Sequence, residues 1–245
     1  MLNPVFIKAT DLNDCWHQVI FALLDYGRKF KIDKGSYAGE YRLEFDYLTI
    51  QITHPGVRPL EPQIPEHLGI PNPVDPGYVL GDHPDFKGRP YIEYLMSGVM
   101  EPGEQYTYGQ RIADYLYCHY SPTPDEYLDF HINQIEEIIY TFKAFGHRNN
   151  QMVLQIARPE DLTLEDPPCL RHIQCRIQDN KLHFMPYFRS WDLFSGAPAN
   201  LAAIQILKEY MGMEIGVEDG EIIVASAGAH IYGYVEEIAK LRRGL

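Results

Sequence analysis

Apolar residues recur at helical spacing in some stretches of the chain and alternate, or run together, in others. Residues 11–30 open on a polar start suited to an N-cap and then place Trp16, Val19, Ile20, Leu23 and Leu24 at helical intervals, which predicts an amphipathic helix. From Tyr41 to Thr53, Leu43, Phe45 and Tyr47 alternate with charged residues before an apolar run around Leu48 and Ile50, the pattern of a strand. Residues 54–90 are dense in proline and glycine and are expected to form an ordered surface loop. Helices are predicted over Tyr91–Val99 and Pro124–Phe145, the second carrying Ile132, Ile135, Ile138, Ile139 and Phe142 on one face. A strand at Met152–Ile156 precedes a hairpin, Ile173–Ile177 and Leu182–Tyr187, closed by the turn pair Asp179-Asn180. Ala199–Met213 predicts an apolar helix, Ile222–Ser226 a buried strand and Tyr234–Leu241 a closing helix. Strands and helices mix without regular βαβ alternation, so the expected class is α+β, with a largely antiparallel or mixed sheet and no internal repeat.

Composition narrows the picture. With 245 residues and 45% hydrophobic content, the chain is long enough to bury a full core as one domain spanning 1–245. It contains no run of 18 apolar residues, and Met1-Leu2-Asn3-Pro4 has neither a basic segment nor an apolar signal core, so a cytoplasmic, membrane-free protein is expected. Cys15, Cys118, Cys169 and Cys175 show no paired close spacing, which speaks against a disulfide framework or a zinc site. A net charge of -13 argues against nonspecific nucleic-acid binding, but a nucleotide needs only a few local arginines.

Four local features between residues 167 and 232 carry chemistry. Pro167-Pro168-Cys169 sets a thiol at the end of a proline-stiffened entry, although a lone cysteine is more often a buried small hydrophobe than a nucleophile. Tyr187-Phe188-Arg189-Ser190-Trp191-Asp192 places Arg, Ser and Asp at a strand end. There Arg189 suits bidentate phosphate binding or lowering of a thiol pKa, and an Arg189–Asp192 surface ion pair is the bland alternative. Gly196-Ala197-Pro198-Ala199-Asn200 leads into an apolar helix. Asn200 is either an N-cap or an amide that offers both donors and an acceptor to a uracil edge. His230 and Tyr232 stand two apart on one side of an extended segment, where they either grip a sugar hydroxyl or are ordinary half-buried residues.

In this order and register the four features resemble the thymidylate synthase superfamily. Its members show a proline-cysteine nucleophile, a Tyr-x-Arg-Ser-x-Asp segment, a Gly-x-Pro-x-Asn turn into a helix and a His-x-Tyr pair. The match covers about residues 150 to 234. The resemblance implies that Cys169 adds to C6 of a pyrimidine, which makes C5 nucleophilic toward a one-carbon unit from 5,10-methylenetetrahydrofolate or a related reduced pterin of methanopterin type, with no metal. It implies further that Arg189 and Ser190 hold the nucleotide phosphate, that Asp192 bonds the pyrimidine and pterin region, that Asn200 reads the base, and that His230 and Tyr232 bind the sugar. In the amino-terminal half, Tyr106-Thr107-Tyr108-Gly109 is similar to a family segment whose tyrosine faces the active site, which nominates Tyr108. Glu93 stands where a family glutamate organises water and proton transfer, its plainer reading being an exposed helix carboxylate. Members dimerise through a sheet and share residues between subunits, so the resemblance implies a homodimer.

The chain also departs from the pattern. The usual Arg-Thr-Gly phosphate loop is replaced by Gly27-Arg28-Lys29 through Lys34-Gly35-Ser36, leaving Arg28 or Lys34 for that work. The two arginines a partner lends to the phosphate would fall at Arg148-Asn149-Asn150-Gln151, where only Arg148 is basic. Leu170 follows the nucleophile in place of histidine, and 13 residues follow Tyr232, as in the short, archaeal-type branch of the family. The expected activity is reductive methylation of deoxyuridylate to thymidylate. C5 hydroxymethylation of a pyrimidine nucleotide (dUMP, dCMP or CMP) and a non-catalytic nucleotide-binding module are the alternatives.

Overall fold

The computed structural model describes residues 1–33, 37–65, 67, 69, 71–120 and 127–243. Strand β1 (Pro4–Ala9) leads into helix α1 (Leu12–Tyr26), capped by Asp11, whose carboxylate accepts from Asp14 N at 2.9 Å. The predicted helix over 11–30 stops short because Gly27 turns the chain. A Cβ there would stand 2.5 Å from the Leu23 carbonyl oxygen and 2.7 Å from Leu43. Residues beyond it form β2 (Arg28–Lys31) instead. Lys34-Gly35-Ser36, considered above for phosphate binding, lies outside the described residues.

The strand predicted from Tyr41 to Thr53 is two strands, β3 (Tyr41–Glu44) and β4 (Tyr47–Ile52), which belong to different sheets. Between them Phe45 drops its ring into the core, and its N–H bonds the Ala229 carbonyl at 2.9 Å. The change from alternating to continuous apolar residues marks this crossing from one sheet to the other. The segment after β4 is an ordered loop pinned by buried Leu60, Ile64, Val74 and Val79. It ends at α2 (Tyr91–Met96), followed by α3 (Tyr108–Ile112).

The helix expected over Pro124–Phe145 is mostly a strand and a shorter helix. Residues 121–126 lie outside the described set, and β6 (Tyr127–Ile132) pairs antiparallel with β5 (Tyr115–Tyr120). Helix α4 (Gln134–Phe145) begins only after Asn133, whose side-chain oxygen accepts from Ile135 N and Glu136 N at 3.1 and 3.2 Å. Ile135, Ile138, Ile139 and Phe142 are buried as expected, whereas Ile132 belongs to the hairpin.

Next come β7 (Val153–Gln155), a 3-10 turn at Pro159–Thr163, β8 (Leu170–Gln178) and β9 (Lys181–Phe188). Asp179 and Asn180 adopt φ of 53° and 59°, the left-handed turn that their short polar side chains tolerate. A two-residue β10 (Trp191–Asp192) precedes α5 (Gly196–Ile215), which ends on Gly216 at φ 87°. Strands β11 (Glu218–Ser226) and β12 (Ala229–Tyr232) and helix α6 (Gly233–Arg243) complete the chain.

The architecture is α+β with mixed strand directions. A six-stranded sheet runs β1-β4-β11-β9-β8-β7, and a four-stranded sheet runs β10-β12-β3-β2. On the large sheet, Leu48, Ile50, Ile173, Cys175, Leu182, Phe184, Ile222 and Val224 are buried on the helix-covered face, in one core with α1, α4 and α5. Helix α5 is buried on most sides, which explains its near-continuous apolar sequence. No helix among the described residues is long and apolar enough to cross a membrane.

Candidate active site

The β8–β9 hairpin brings the first two motifs together. Leu170 pairs with Phe188, so Cys169, entering β8, lies beside Arg189, leaving β9. Arg189 N donates to the Cys169 carbonyl at 2.9 Å. The Arg189 guanidinium is committed to the same segment, through Nε to Pro168 O at 3.2 Å, Nη2 to Asp166 at 3.2 Å and Nη2 to the Pro167 carbonyl. Its ion-pair partner is therefore Asp166 rather than Asp192. The effect is to fix the proline-stiffened entry and leave a cation beside the sulfur. Cys169 is partly buried, and that burial pushes its thiol pKa up; Arg189 and Arg171 pull it down and Asp166 pushes it further up. Ser190 is partly exposed, and no hydrogen bond to its hydroxyl is found among the described residues.

A second layer, not anticipated from sequence, holds this entry from behind. Arg111 on α3 is buried with Asp161 in an ion pair of 2.7 Å and donates to Ile156 O at 2.7 Å. Asp161 also meets Arg171 at 3.3 Å, and Arg171 reaches Pro168 O at 3.2 Å. Burial alone would raise the Asp161 pKa, but hydrogen bonds from Arg111 and the Arg158 N–H, with the charges of Arg111 and Arg171, hold it below the ordinary carboxylate value. Such a pair is kept as a unit, because an unpaired buried charge costs on the order of 3–5 kcal/mol. The sequence carries no local signal for it, since the partners are 50 residues apart.

Tyr108, at the start of α3, is buried, and its hydroxyl accepts from Leu170 N at 3.3 Å, one residue from Cys169. Burial first, and the nearby Cys169 second, push its pKa far up, so it stays a neutral phenol. Asn200 is not an N-cap, because α5 starts at Gly196 and Asn200 lies a turn inside it. Its Oδ1 accepts from Trp191 Nε1 at 2.9 Å and its Nδ2 donates to the Tyr91 hydroxyl at 2.6 Å. Because the indole can only donate, the amide orientation is fixed and one Nδ2 hydrogen remains for a ligand. Asp192 shapes the turn into α5, its two oxygens accepting from Phe194 N at 3.0 Å and Gly196 N at 3.3 Å.

His230 is buried, with Nδ1 at 2.9 Å from Gly228 O; burial pushes its pKa down. Nδ1 therefore carries the proton and Nε2 is a buried acceptor with no donor among the described residues, and the Tyr232 ring is 4.8 Å away. Asp192 pairs with His230 across β10 and β12, which sets the His230–Tyr232 segment beside the Arg189–Asp192 segment.

The remaining candidates stand apart. Glu93 is an exposed carboxylate on α2, 3.6 Å from Arg89. Arg28 pairs with Asp46 and bonds the Met1 carbonyl at the exposed β2 edge. Arg148 is exposed in the turn after α4. Beside Tyr108 opens a cavity of about 320 Å³, walled by Tyr78, Tyr94, Arg89 and Glu104 and by Tyr91, whose hydroxyl accepts from Asn200. A flat heteroaromatic carrier fits such aromatic walls. Among the described residues, no three His, Cys, Asp or Glu side chains converge as a metal cage.

The comparisons with known proteins give the class, a one-carbon transferase, and then the family. The family model described as "Thymidylate synthase" matches residues 103–243, more than half of the chain. The chain belongs to the thymidylate synthase family. It is 26% identical over 238 residues, 96% of this chain and 94% of the relative, to a protein of Methanosarcina mazei named "Putative thymidylate synthase". A protein of the same name from Methanopyrus kandleri is 24% identical over 231 residues, 94% of each chain. The "Thymidylate synthase" of Listeria monocytogenes serotype 4a is 31% identical over 109 residues, 44% of this chain and 34% of that protein.

Proposed function

We propose that the protein methylates C5 of deoxyuridylate reductively, giving thymidylate, through a covalent bond between Cys169 and C6. The observation that supports this best is the placement of Cys169 within one site with a fixed Arg189, a neutral Tyr108 and an oriented Asn200. The thiolate adds to C6, and electron density gained at C5 lets that carbon take up a one-carbon unit and lose its proton. Expulsion of the sulfur from C6 restores the ring. A bound methylene-tetrahydropterin supplies the carbon and the hydride. Asn200 donates its free amide hydrogen to O4, where negative charge develops on addition. His230 Nε2, lacking a donor, takes a sugar hydroxyl with Tyr232, and Arg189 with Ser190 faces the phosphate.

The test is C5-tritiated deoxyuridylate with several reduced pterins, with the product identified by mass. Tritium release with a methyl product and an oxidised pterin is expected. A hydroxymethyl product with tetrahydropterin would overturn methylation in favour of hydroxymethylation. Nucleotide binding without any release would leave a non-catalytic module.

The reading includes a homodimer. The face of the large sheet away from the helices carries His172, Gln174, Met185, Tyr187 and Ile223, partly buried, and Phe6, 64% exposed. A second copy packed there would cover this face and bring the exposed Arg148 within reach of a neighbouring site. Sedimentation should give twice the chain mass, and Ile223→Glu should shift it toward monomer. A wild-type monomer with full exchange activity would overturn the dimer.

A further inference from the structure

Residues 164–169 enter β8 outside any helix or strand, and side chains hold their carbonyls in place of a ladder. The Asp166 carbonyl accepts from the Tyr106 hydroxyl at 3.3 Å, and the Pro167 carbonyl from Arg189 Nη2. The Pro168 carbonyl, next to Cys169, is held twice, by Arg189 Nε at 3.2 Å and by Arg171 Nη1 at 3.2 Å. Arg171 owes this position to a bulge. Leu170 pairs with Phe188 and His172 with Tyr187, so Arg171 is an extra residue on β8, and its own carbonyl accepts from Ile156 N at 3.1 Å and Ala157 N at 2.8 Å. A bulge of this kind re-aims a side chain, here back along the strand toward Cys169.

The two arginines differ in what anchors them. Arg171 Nη1 also meets Asp161 at 3.3 Å, a carboxylate 1% exposed that Arg111 pairs at 2.7 Å, so it is tied to a charge that solvent and ligands do not reach. Arg189 is 35% exposed, and its ion-pair partner Asp166 is 85% exposed. A phosphate offers the Arg189 guanidinium two charged oxygens, a stronger partner than a peptide carbonyl or a solvated carboxylate. Arg189 therefore has two tasks that compete: once it takes the phosphate, the Pro167 carbonyl loses its donor and the Pro168 carbonyl keeps only Arg171. We propose that Arg171 is a positioning residue, which holds the Pro168 carbonyl, and with it Cys169, in place when Arg189 turns to the nucleotide phosphate. The inference rests on the reading above, which puts a phosphate at Arg189. The charge of Arg171 helps in the same state, because it goes on opposing the burial of the thiol after phosphate has neutralised Arg189.

Hydrogen–deuterium exchange of the peptide covering 164–170, with and without saturating deoxyuridylate, reads the clamp without any pterin. In the wild type, protection should hold in both states. Arg171→Gln should match the wild type when free, because Arg189 still holds Pro168 and Arg111 still pairs Asp161. With deoxyuridylate bound it should exchange about fivefold faster, the loss of one hydrogen bond. Arg171→Lys keeps the charge beside Asp161 and so preserves the fold, but its ammonium is one bond shorter, stays with Asp161 and releases Pro168. It should show the same ligand-dependent loss. In C5 tritium release both variants should lower kcat by about tenfold to a hundredfold, the effect of misplacing a reacting group, with KM for deoxyuridylate within about twofold of the wild type. Faster exchange in the free variants as well would make Arg171 a support of the fold and nothing more. That result, protection kept in the bound variants, an unchanged kcat, or a lysine variant that behaves as wild type would each overturn the proposal. If the wild type binds deoxyuridylate but releases no tritium, the methyl-transfer reading fails and the deuterium exchange alone decides the clamp. No binding of deoxyuridylate at all would overturn both.

Discussion

Cys169→Ser is expected to lower tritium release from C5-labelled deoxyuridylate by at least about a thousandfold while leaving the nucleotide bound, because loss of a covalent nucleophile removes the whole addition step. The fold should survive, since what Cys169 gives its surroundings is mainly its carbonyl, which receives Arg189 N at 2.9 Å, and a side chain already partly exposed. The free thiol carries a second expectation. The thiolate is the reactive form, and burial holds the Cys169 pKa above its ordinary value although Arg189 and Arg171 oppose it. Alkylation of the free protein by iodoacetamide should therefore be slow near neutrality and climb as pH rises toward that elevated pKa. Removing the nearest opposing charge with Arg189→Ala should slow it further at each pH. Unchanged exchange in Cys169→Ser would end the covalent mechanism. A thiol already fully reactive at pH 7 would show that burial does not dominate its environment.

The placing of Cys169 beside Arg189 was legible because it is carried by local chain geometry. Asp179-Asn180 fixes a two-residue turn, the turn fixes the pairing of β8 with β9, and that pairing sets Cys169 beside Arg189. Asn200 and the His230–Tyr232 pair could be nominated from their motifs, but the contacts each of them makes could not be read there. The N-cap reading of Asn200 fails because Gly196 admits the chain to α5 a turn earlier, with a Cβ at that position only 3.3 Å from Asp192 Cβ. Elements were misread where periodicity ran through a boundary set by one residue. Gly27 ends α1 against Leu43, Phe45 carries the chain between sheets, and Asn133 starts α4 after a strand whose apolar residues continue the helical pattern. Contacts between distant residues left no trace in sequence at all. Arg111 with Asp161 and Tyr91 with Asn200 are examples, and both support the site from behind. The proline-rich loop looked like plain surface, yet its end delivers Tyr78 and Arg89 to the cavity that Tyr91, Tyr94 and Tyr108 also line.

Asn200→Asp should exchange the base preference of the site. In the wild type, Trp191 Nε1 donates to Oδ1 at 2.9 Å and Nδ2 donates to the Tyr91 hydroxyl at 2.6 Å, so the group left facing a ligand is an N–H. That donor suits O4 of uracil and meets the 4-amino group of cytosine donor to donor. An aspartate keeps the Trp191 bond and turns the Tyr91 hydroxyl into a donor, so only oxygen lone pairs face the ligand. Uracil O4 then opposes an acceptor, and cytosine supplies the missing hydrogen. Sites built around a substrate hydrogen bond discriminate strongly, because the wrong ligand leaves buried polar groups unpaired. The ratio of kcat/KM for C5 exchange, deoxyuridylate over deoxycytidylate, should fall by about a hundredfold or more. Tyr91→Phe is the informative companion. It removes the hydroxyl that holds Nδ2 without changing which groups face the base, so it should weaken exchange on deoxyuridylate and leave the preference for uracil in place. If Asn200→Asp changed the rate on both nucleotides equally, Asn200 would be a strut for Trp191 and Tyr91, and the base would be read elsewhere.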